Sequence, residues 1–205
     1  MLKRALILWV LAWSAAAQAS VPRVCLVVGV SDGDTITARC GQPGAYEQVK
    51  VRIGAIDAPE RRQPFGARAK ESLSDLVFDK DVRLECNKTD RYRRRVCTVW
   101  VAPAPAPAGP KTLDAGLAMV TQGMAWWYRA YSREQTAQAR GQYEFAEQEA
   151  RSKHVGLWRD AGAVPPWEFR HAAPMQGVAD ANGCITGPKG GRYTLTPTGH
   201  KRYGC

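Results

Sequence analysis

Beyond its first residues the chain has no apolar run near the roughly 20 residues that a membrane-crossing helix requires. No membrane partner is therefore expected for the mature protein. Histidine is scarce, three in 205 residues, and no Cys–Cys or His–His pair stands at the close spacing of a zinc site. Internal repeats are absent, which excludes solenoids and propellers. Acidic residues are in the minority, 19 against 29 Lys and Arg. The resulting charge of +10 directs attention to nucleic acid or an anionic surface as partner.

The apolar start, "MLKRALILWVLAWSAAAQAS", is too short to span a bilayer and has another grammar. Lys3 and Arg4 precede an apolar stretch, Ala5 to Trp13, and Ala17-Gln18-Ala19 is a small-residue cleavage pattern. This reads as a secretory signal peptide over 1–19, so a secreted or periplasmic protein is expected. No cysteine follows the cleavage point directly, which argues against a lipid anchor. Without Lys3 and Arg4, 27 basic residues face 19 acidic ones, a charge of +8.

All six cysteines follow the leader, as suits an oxidising compartment. Cys25 and Cys40 are equidistant from the turn at Asp32-Gly33, and Cys86 and Cys97 from that at Arg91-Tyr92. In antiparallel hairpins such positions face one another at bridging distance. Cys184 and Cys205 are left for each other.

"VCLVVGV" and "TITARC" read as strands joined by a tight turn, and "EQVKVRIGAI" as a third strand with Val49, Val51 and Ile53 alternating against Lys50 and Arg52. "VRLEC" and "RVCTVWV" are two more. Helical periodicity marks "PFGARAKESLSDLVF" (64–78), "TLDAGLAMVTQG" (112–123) and a longer stretch from Glu134 to Lys153. "APAPAPAGP" (102–110) suits an exposed extended loop. The resulting fold class is α+β: an OB-like five-stranded Greek-key barrel with about three helices. The expected domain spans 20–170, followed by a linker over 171–183 and a small, basic, disulfide-stapled module over 184–205.

Chemistry gathers in three short segments. In "SDGDT" Asp32 and Asp34, two apart, share one face of an extended chain. Crowded carboxylates without nearby Cys or His suit a hard cation, Ca²⁺ or Mg²⁺. In "RIGAIDAPE" Arg52 and Asp57 have odd spacing, so a regular strand would send them to opposite faces unless Gly54 marks a bulge. Pro59 then places Glu60 just past a turn. "TDRYRRR" has a charge density suited to phosphate, with Tyr92 able to stack or hydrogen-bond. Each segment alone has a plainer reading: a hairpin turn, a surface arginine, a solvated loop. Together they supply what phosphodiester cleavage requires, namely guanidinium forks, a cation cradle and a carboxylate to act on water.

In this order and spacing, "DGDT", "RIGAIDAPE" and "TDRYRRR" resemble the thermonuclease family, the staphylococcal-nuclease-like hydrolases. The resemblance runs from about Val24 to Trp158 and includes "GLAMVTQGMAWWYRAYS" and the closing "GLW". It implies an OB-fold enzyme that uses Ca²⁺, with Mg²⁺ or Mn²⁺ second in order, to cut DNA and RNA with little sequence specificity. A monomer is expected. Carried over, Asp34, Asp57 and the main-chain carbonyl of Ala58 would ligate the metal, with Asp32 supporting them from behind. Arg52 and Arg94 would clamp phosphate, and Glu60 would be the general base. Tyr92, and Tyr128 or Tyr131, would meet the nucleotide.

The family pattern Asp-(Lys/Arg)-Tyr-Gly-Arg is broken here by Arg93 in the glycine position. A required positive φ would strain Arg93; a rebuilt turn would make Arg95 the alternative clamp. The terminal "GPKGGRYTLTPTGHKRY" resembles a small basic adaptor module, fitted either to add affinity for nucleic acid or to serve as a stable tail. The rival readings are a catalytically silent OB-fold that binds nucleic acid and a stapled cell-surface protein. The first would be expected to have lost the acidic or arginine positions, and the second leaves them unexplained.

Overall fold

The computed structural model describes residues 23–171, 182–186, 191–196 and 201–205. The leader over 1–19 and most of the 171–183 linker lie outside the described residues. Strands β1 (Arg23–Asp32), β2 (Thr35–Cys40) and β3 (Glu47–Ile53) form an antiparallel meander. A two-residue strand, β4 (Ile56–Asp57), and helix α1 (Gly66–Val77) follow, then β5 (Asp81–Thr89) and β6 (Arg95–Val101). β5 pairs with β1 and β6, and β6 returns to run parallel to β3, which closes a five-stranded barrel.

The remaining elements clothe one side. β7 (Leu113–Asp114) leads into α2 (Ala115–Thr121), β8 (Trp126–Trp127) pairs with β4, and α3 (Ala137–Ser152) and α4 (Pro166–His171) follow. Alternation decides what faces inward: Val27, Ile36, Ala38, Val51, Ile53, Val82 and Val99 fill the barrel. Leu73 and Val77 of α1 and Met119 and Val120 of α2 close over them. No helix among the described residues is long and apolar enough to cross a membrane.

The expected disulfide pairs form, though not by simple symmetry about a turn: Asp32 pairs with Thr35, two β-bulges in β1 separate that turn from the first bridge, and one more lies between Lys88 and Cys86. Cys25 sits directly opposite Cys40 and Cys86 opposite Cys97, and both pairs are bonded, with Cα separations of 4.4 and 3.9 Å. Cys184 and Cys205 are bonded as well and staple β9 (Ile185–Thr186), β10 (Arg192–Leu195) and β11 (Lys201–Tyr203), an antiparallel trio.

One boundary and two elements differ from the sequence reading. α3 starts at Ala137, not near Glu134, because the Thr136 hydroxyl caps it by accepting the Ala139 N–H, while 129–134 forms a separate 3₁₀ turn. α4 and the β4–β8 pair went unread, since two-residue strands and a six-residue helix carry no periodicity.

Candidate active site

The barrel rim is shaped by close approach. Gly33, between Asp32 and Asp34, packs so tightly that an added Cβ would lie 2.7 Å from the Ala58 Cβ and 2.8 Å from the Ala69 Cβ. The "DGD" turn is thereby pressed onto the segment that carries Asp57 and onto α1. At the start of α1, Gly66 similarly leaves no room for a Cβ, which would meet the Glu60 carbonyl at 2.1 Å. Asp34, Asp57 and Glu60 are thus brought to one rim by backbone packing.

Arg52 and Asp57 would point apart along a regular strand, yet they pair. The chain turns after Ile53, with the Gly54 N–H bonded to the Cys97 carbonyl at 2.9 Å. The residue in the left-handed region is Ala55 (φ 65°), not Gly54 as its type suggests. Its carbonyl accepts the Tyr128 N–H at 2.8 Å, and β4 then pairs with β8. This sharp turn brings the Asp57 Oδ1 to 3.0 Å from the Arg52 Nη2.

A line of alternating charge results. Arg52 Nη1 lies 2.8 Å from the Asp34 Oδ2, which also accepts the Ala58 N–H at 2.9 Å. Thr35 donates its hydroxyl to the Asp34 Oδ1 at 2.9 Å and accepts from the Arg94 Nη1 at 3.2 Å. Thr35 lies opposite Arg52 across β2 and β3, and the parallel β3–β6 closure sets Arg94, just before β6, beside them. Asp32 stands behind, its Oδ1 accepting the Asp34 N–H at 3.2 Å. Burial, helped by the Asp34 charge, pushes the Asp32 carboxyl up to about 6. Burial also raises Asp57, against the opposing effects of Arg170 and Arg52.

The "TDRYRRR" turn is organised by Asp90. Its Oδ1 accepts the N–H groups of Tyr92 and Arg94, each at 2.9 Å, and its Oδ2 accepts the Arg94 Nε–H at 2.8 Å. Burial pushes the Asp90 carboxyl up, but these bonds outweigh it and hold the group below its ordinary range. Arg93 occupies the left-handed region at φ 64°, so the glycine-type turn is kept and Arg94 is the arginine aimed into the rim. The strain expected of a side chain at that position is present.

Asp32, Asp34, Arg52, Asp57, Glu60 and Arg94 line a cleft of about 710 Å³ together with Ala58, Tyr92, Tyr128 and Tyr131. Tyr92 is 65% exposed, with the Arg94 guanidinium 5.4 Å from its ring. Across the cleft the rings of Tyr128 and Tyr131 meet edge to face at 5.0 Å, and the Lys88 ammonium lies over Tyr131 at 3.9 Å.

Two contributors were missed in the sequence. Arg170 of α4 reaches the rim and pairs with Asp57 at 2.6 Å and with Glu60 at 2.7 Å, and these two carboxylates hold its guanidinium above the ordinary arginine range. Glu147 of α3 is buried and accepts the Trp127 N–H at 3.1 Å, which anchors β8 and through it the strand of Asp57. Nothing near either residue in sequence signals such a role.

Among the described residues no three acidic, His or Cys side chains gather as a preformed metal cage. The acidic groups meet guanidinium groups instead. The donor set of Asp34 and Asp57, all oxygen and almost fully shielded from water, nevertheless suits a hard cation, because such carboxylates require positive charge beside them.

Comparison with known proteins accords with this arrangement. Residues 50–160 match the family described as Staphylococcal nuclease homologue. The match begins within β3, so the "DGD" turn and Arg170 lie outside it. The chain is 44% identical over 144 residues to Protein ParB of Escherichia coli, covering 70% of this chain and 77% of that protein. It is 40% identical over 148 residues to a micrococcal nuclease of Shigella flexneri, covering 72% and 80%. An uncharacterized endonuclease of Haemophilus influenzae is 40% identical over 146 residues, covering 71% and 72%. A barrel closed by parallel β3 and β6, an arginine on each side of that closure and relatives of this similarity lead to one conclusion: the chain belongs to the staphylococcal nuclease homologue family.

Proposed function

We propose that the protein is an exported, metal-dependent nuclease that cuts DNA and RNA with little sequence specificity, acting as a monomer with Ca²⁺ as its ion. The observation that carries this reading is the line Arg94–Thr35–Asp34–Arg52–Asp57, which interleaves two guanidinium groups with two carboxylates at one rim. Asp34, Asp57 and the Ala58 carbonyl would hold the ion, which supplies charge neutralisation and orients the phosphate. Arg52 uses three contacts, to Asp34, Asp57 and the Ile53 carbonyl. A guanidinium has five N–H groups, so donors remain for a phosphate oxygen.

Arg94 is oriented by Asp90 and Thr35 before substrate arrives, so its fork meets phosphate without a large loss of side-chain entropy. Glu60 takes the proton of the attacking water on a carboxylate oxygen. Tyr92, Tyr128 and Tyr131 offer ring faces for bases. Phosphate and stacking contacts read no base edges, hence the low specificity.

The test is cleavage of fluorescent single-stranded DNA by the oxidised Ser20–Cys205 chain with Ca²⁺, Mg²⁺ or EDTA. Cutting should require the ion and fall by about 100-fold or more in both Glu60→Gln and Arg94→Lys. Retained cutting in Arg94→Lys would move the clamp to another arginine. A folded protein that binds DNA and cuts none would instead be a silent binding barrel.

A further inference from the structure

The chain beyond residue 160, past the matched family region, returns to the cleft. It is seated there by contacts that do not involve Arg170. Pro166 is buried, and the Trp167 ring lies 6.5 Å from that of Trp126 and 5.5 Å from that of Tyr128. The Gln63 amide donates to the Val164 carbonyl and accepts the Glu60 N–H. Trp126 lies in β8, the partner of Asp57's strand, and Gln63 braces the loop of Glu60. The arm therefore rests on the two segments that present Asp57 and Glu60.

Arg170 points between those two groups. Its Nη2 lies 2.6 Å from the Asp57 Oδ2, and its Nη1 lies 3.3 Å from the Asp57 Oδ1 and 2.7 Å from the Glu60 Oε1. Asp57 is only 2% exposed and cannot rely on water for its charge, while Arg52 is already shared with Asp34. Arg170 supplies the missing positive charge, and its own side chain is 43% exposed, so it can leave toward solvent. A divalent cation and a guanidinium that seek the same carboxylate oxygens repel one another and compete for the same lone pairs.

We propose, resting on the metal-dependent reading above, that Arg170 is an internal counter-cation: it clasps Asp57 and Glu60 when the ion is absent, competes with the ion for Asp57, and so sets the metal concentration at which the site loads.

The experiment is calorimetric titration of the oxidised, metal-free protein with Ca²⁺ alone, for wild type, Arg170→Ala and Arg170→Lys, with thermal unfolding followed with and without Ca²⁺. Arg170→Ala should bind Ca²⁺ about tenfold more tightly than wild type. Its unfolding temperature should be lower than that of wild type without the ion, with the gap closing when Ca²⁺ is added. Arg170→Lys retains charge but not the fork and should fall between the two; it keeps the idea testable if the Ala variant does not fold. A residue that merely braced the site would give weaker binding on removal, so the direction of the change decides. Equal or weaker Ca²⁺ affinity in Arg170→Ala, with normal binding and cutting by wild type, overturns this proposal alone. No Ca²⁺ uptake by any of the three proteins overturns it together with the metal-dependent reading.

Discussion

Glu147 offers the sharpest check on how the fold supports the rim. Its side chain is 1% exposed and accepts the Trp127 N–H at 3.1 Å, with Arg129 at 2.9 Å and Arg151 at 3.5 Å on its other oxygen. Glu147→Ala removes a charged acceptor from a buried backbone N–H, a loss of about 1.5–3 kcal/mol. The one buried methylene that is lost adds roughly 0.8 kcal/mol. The arginine side chains are 50% and 49% exposed, so water takes over their charge and these pairs together add under about 1 kcal/mol. The better helix propensity of Ala returns a few tenths of a kcal/mol. The expected loss is about 2–4 kcal/mol. Glu147→Gln keeps one oxygen, both methylenes and the bond to Trp127; it loses the charge and turns the acceptor facing the half-exposed Arg129 and Arg151 into an NH2 group, about 1 kcal/mol. Urea unfolding monitored by Trp fluorescence reads both values as midpoint shifts at unchanged slope. Nuclease activity under folding conditions should survive in the Gln variant, because β8 and the strand of Asp57 stay in register. A Gln variant as damaged as the Ala variant would refute the account, since the anchor would then be charge and not the hydrogen bond. An Ala variant that loses under about 1 kcal/mol would refute it from the other side.

Three further outcomes follow from the geometry. Gly33→Ala places a methyl 2.7 and 2.8 Å from the Ala58 and Ala69 Cβ atoms, well inside the roughly 3.5 Å of carbon contact, and should cost about 1–3 kcal/mol in urea unfolding. Adding Ala69→Gly should restore only part of this, because the Ala58 contact remains; full restoration would show that α1 alone sets the turn. Arg93→Gly removes the strain at φ 64° and should raise stability by about 1 kcal/mol, whereas Arg93→Val should lower the unfolding temperature. Equal stability of all three proteins would mean that the turn adjusts freely. Tyr143 is held far above its ordinary pKa of 10.0 by burial and by Asp114, which accepts its hydroxyl at 2.9 Å. The folded state therefore keeps this proton where the unfolded chain loses it, and stability should fall as pH rises through and above about 10. Tyr143→Phe should lose about 1–3 kcal/mol at pH 7, because half-buried Asp114 loses a donor, and the gap to wild type should narrow at alkaline pH. A constant gap in unfolding midpoints from pH 7 to 11 would contradict the assignment.

What the sequence determined by itself was local. The strands that form the barrel obey a period of two, and the hairpin turns set their register. The Cys25–Cys40 and Cys86–Cys97 pairs were legible from their near-equal spacing about the turns, but β-bulges between each turn and its bridge are what bring the partners opposite one another. The candidate site was legible for a similar reason: Asp34, Arg52, Asp57 and Glu60 lie within 27 residues on two adjoining segments, and the Asp90–Arg94 turn keeps its shape through its own aspartate. Tertiary structure alone decided the rest. The turn at Ala55 that brings Arg52 onto Asp57 depends on a Tyr128 N–H more than 70 residues away. The β4–β8 pair is too short for any periodicity and exists because Glu147 holds the Trp127 N–H. Arg170 meets Asp57 across 113 residues of sequence, on a helix seated by Trp167 rather than by any motif. Alternation and turn chemistry act between near neighbours, so they can place a residue on a strand or in a loop. They carry no record of which distant side chain completes the charge of a buried carboxylate, and that was settled only when the chain closed on itself.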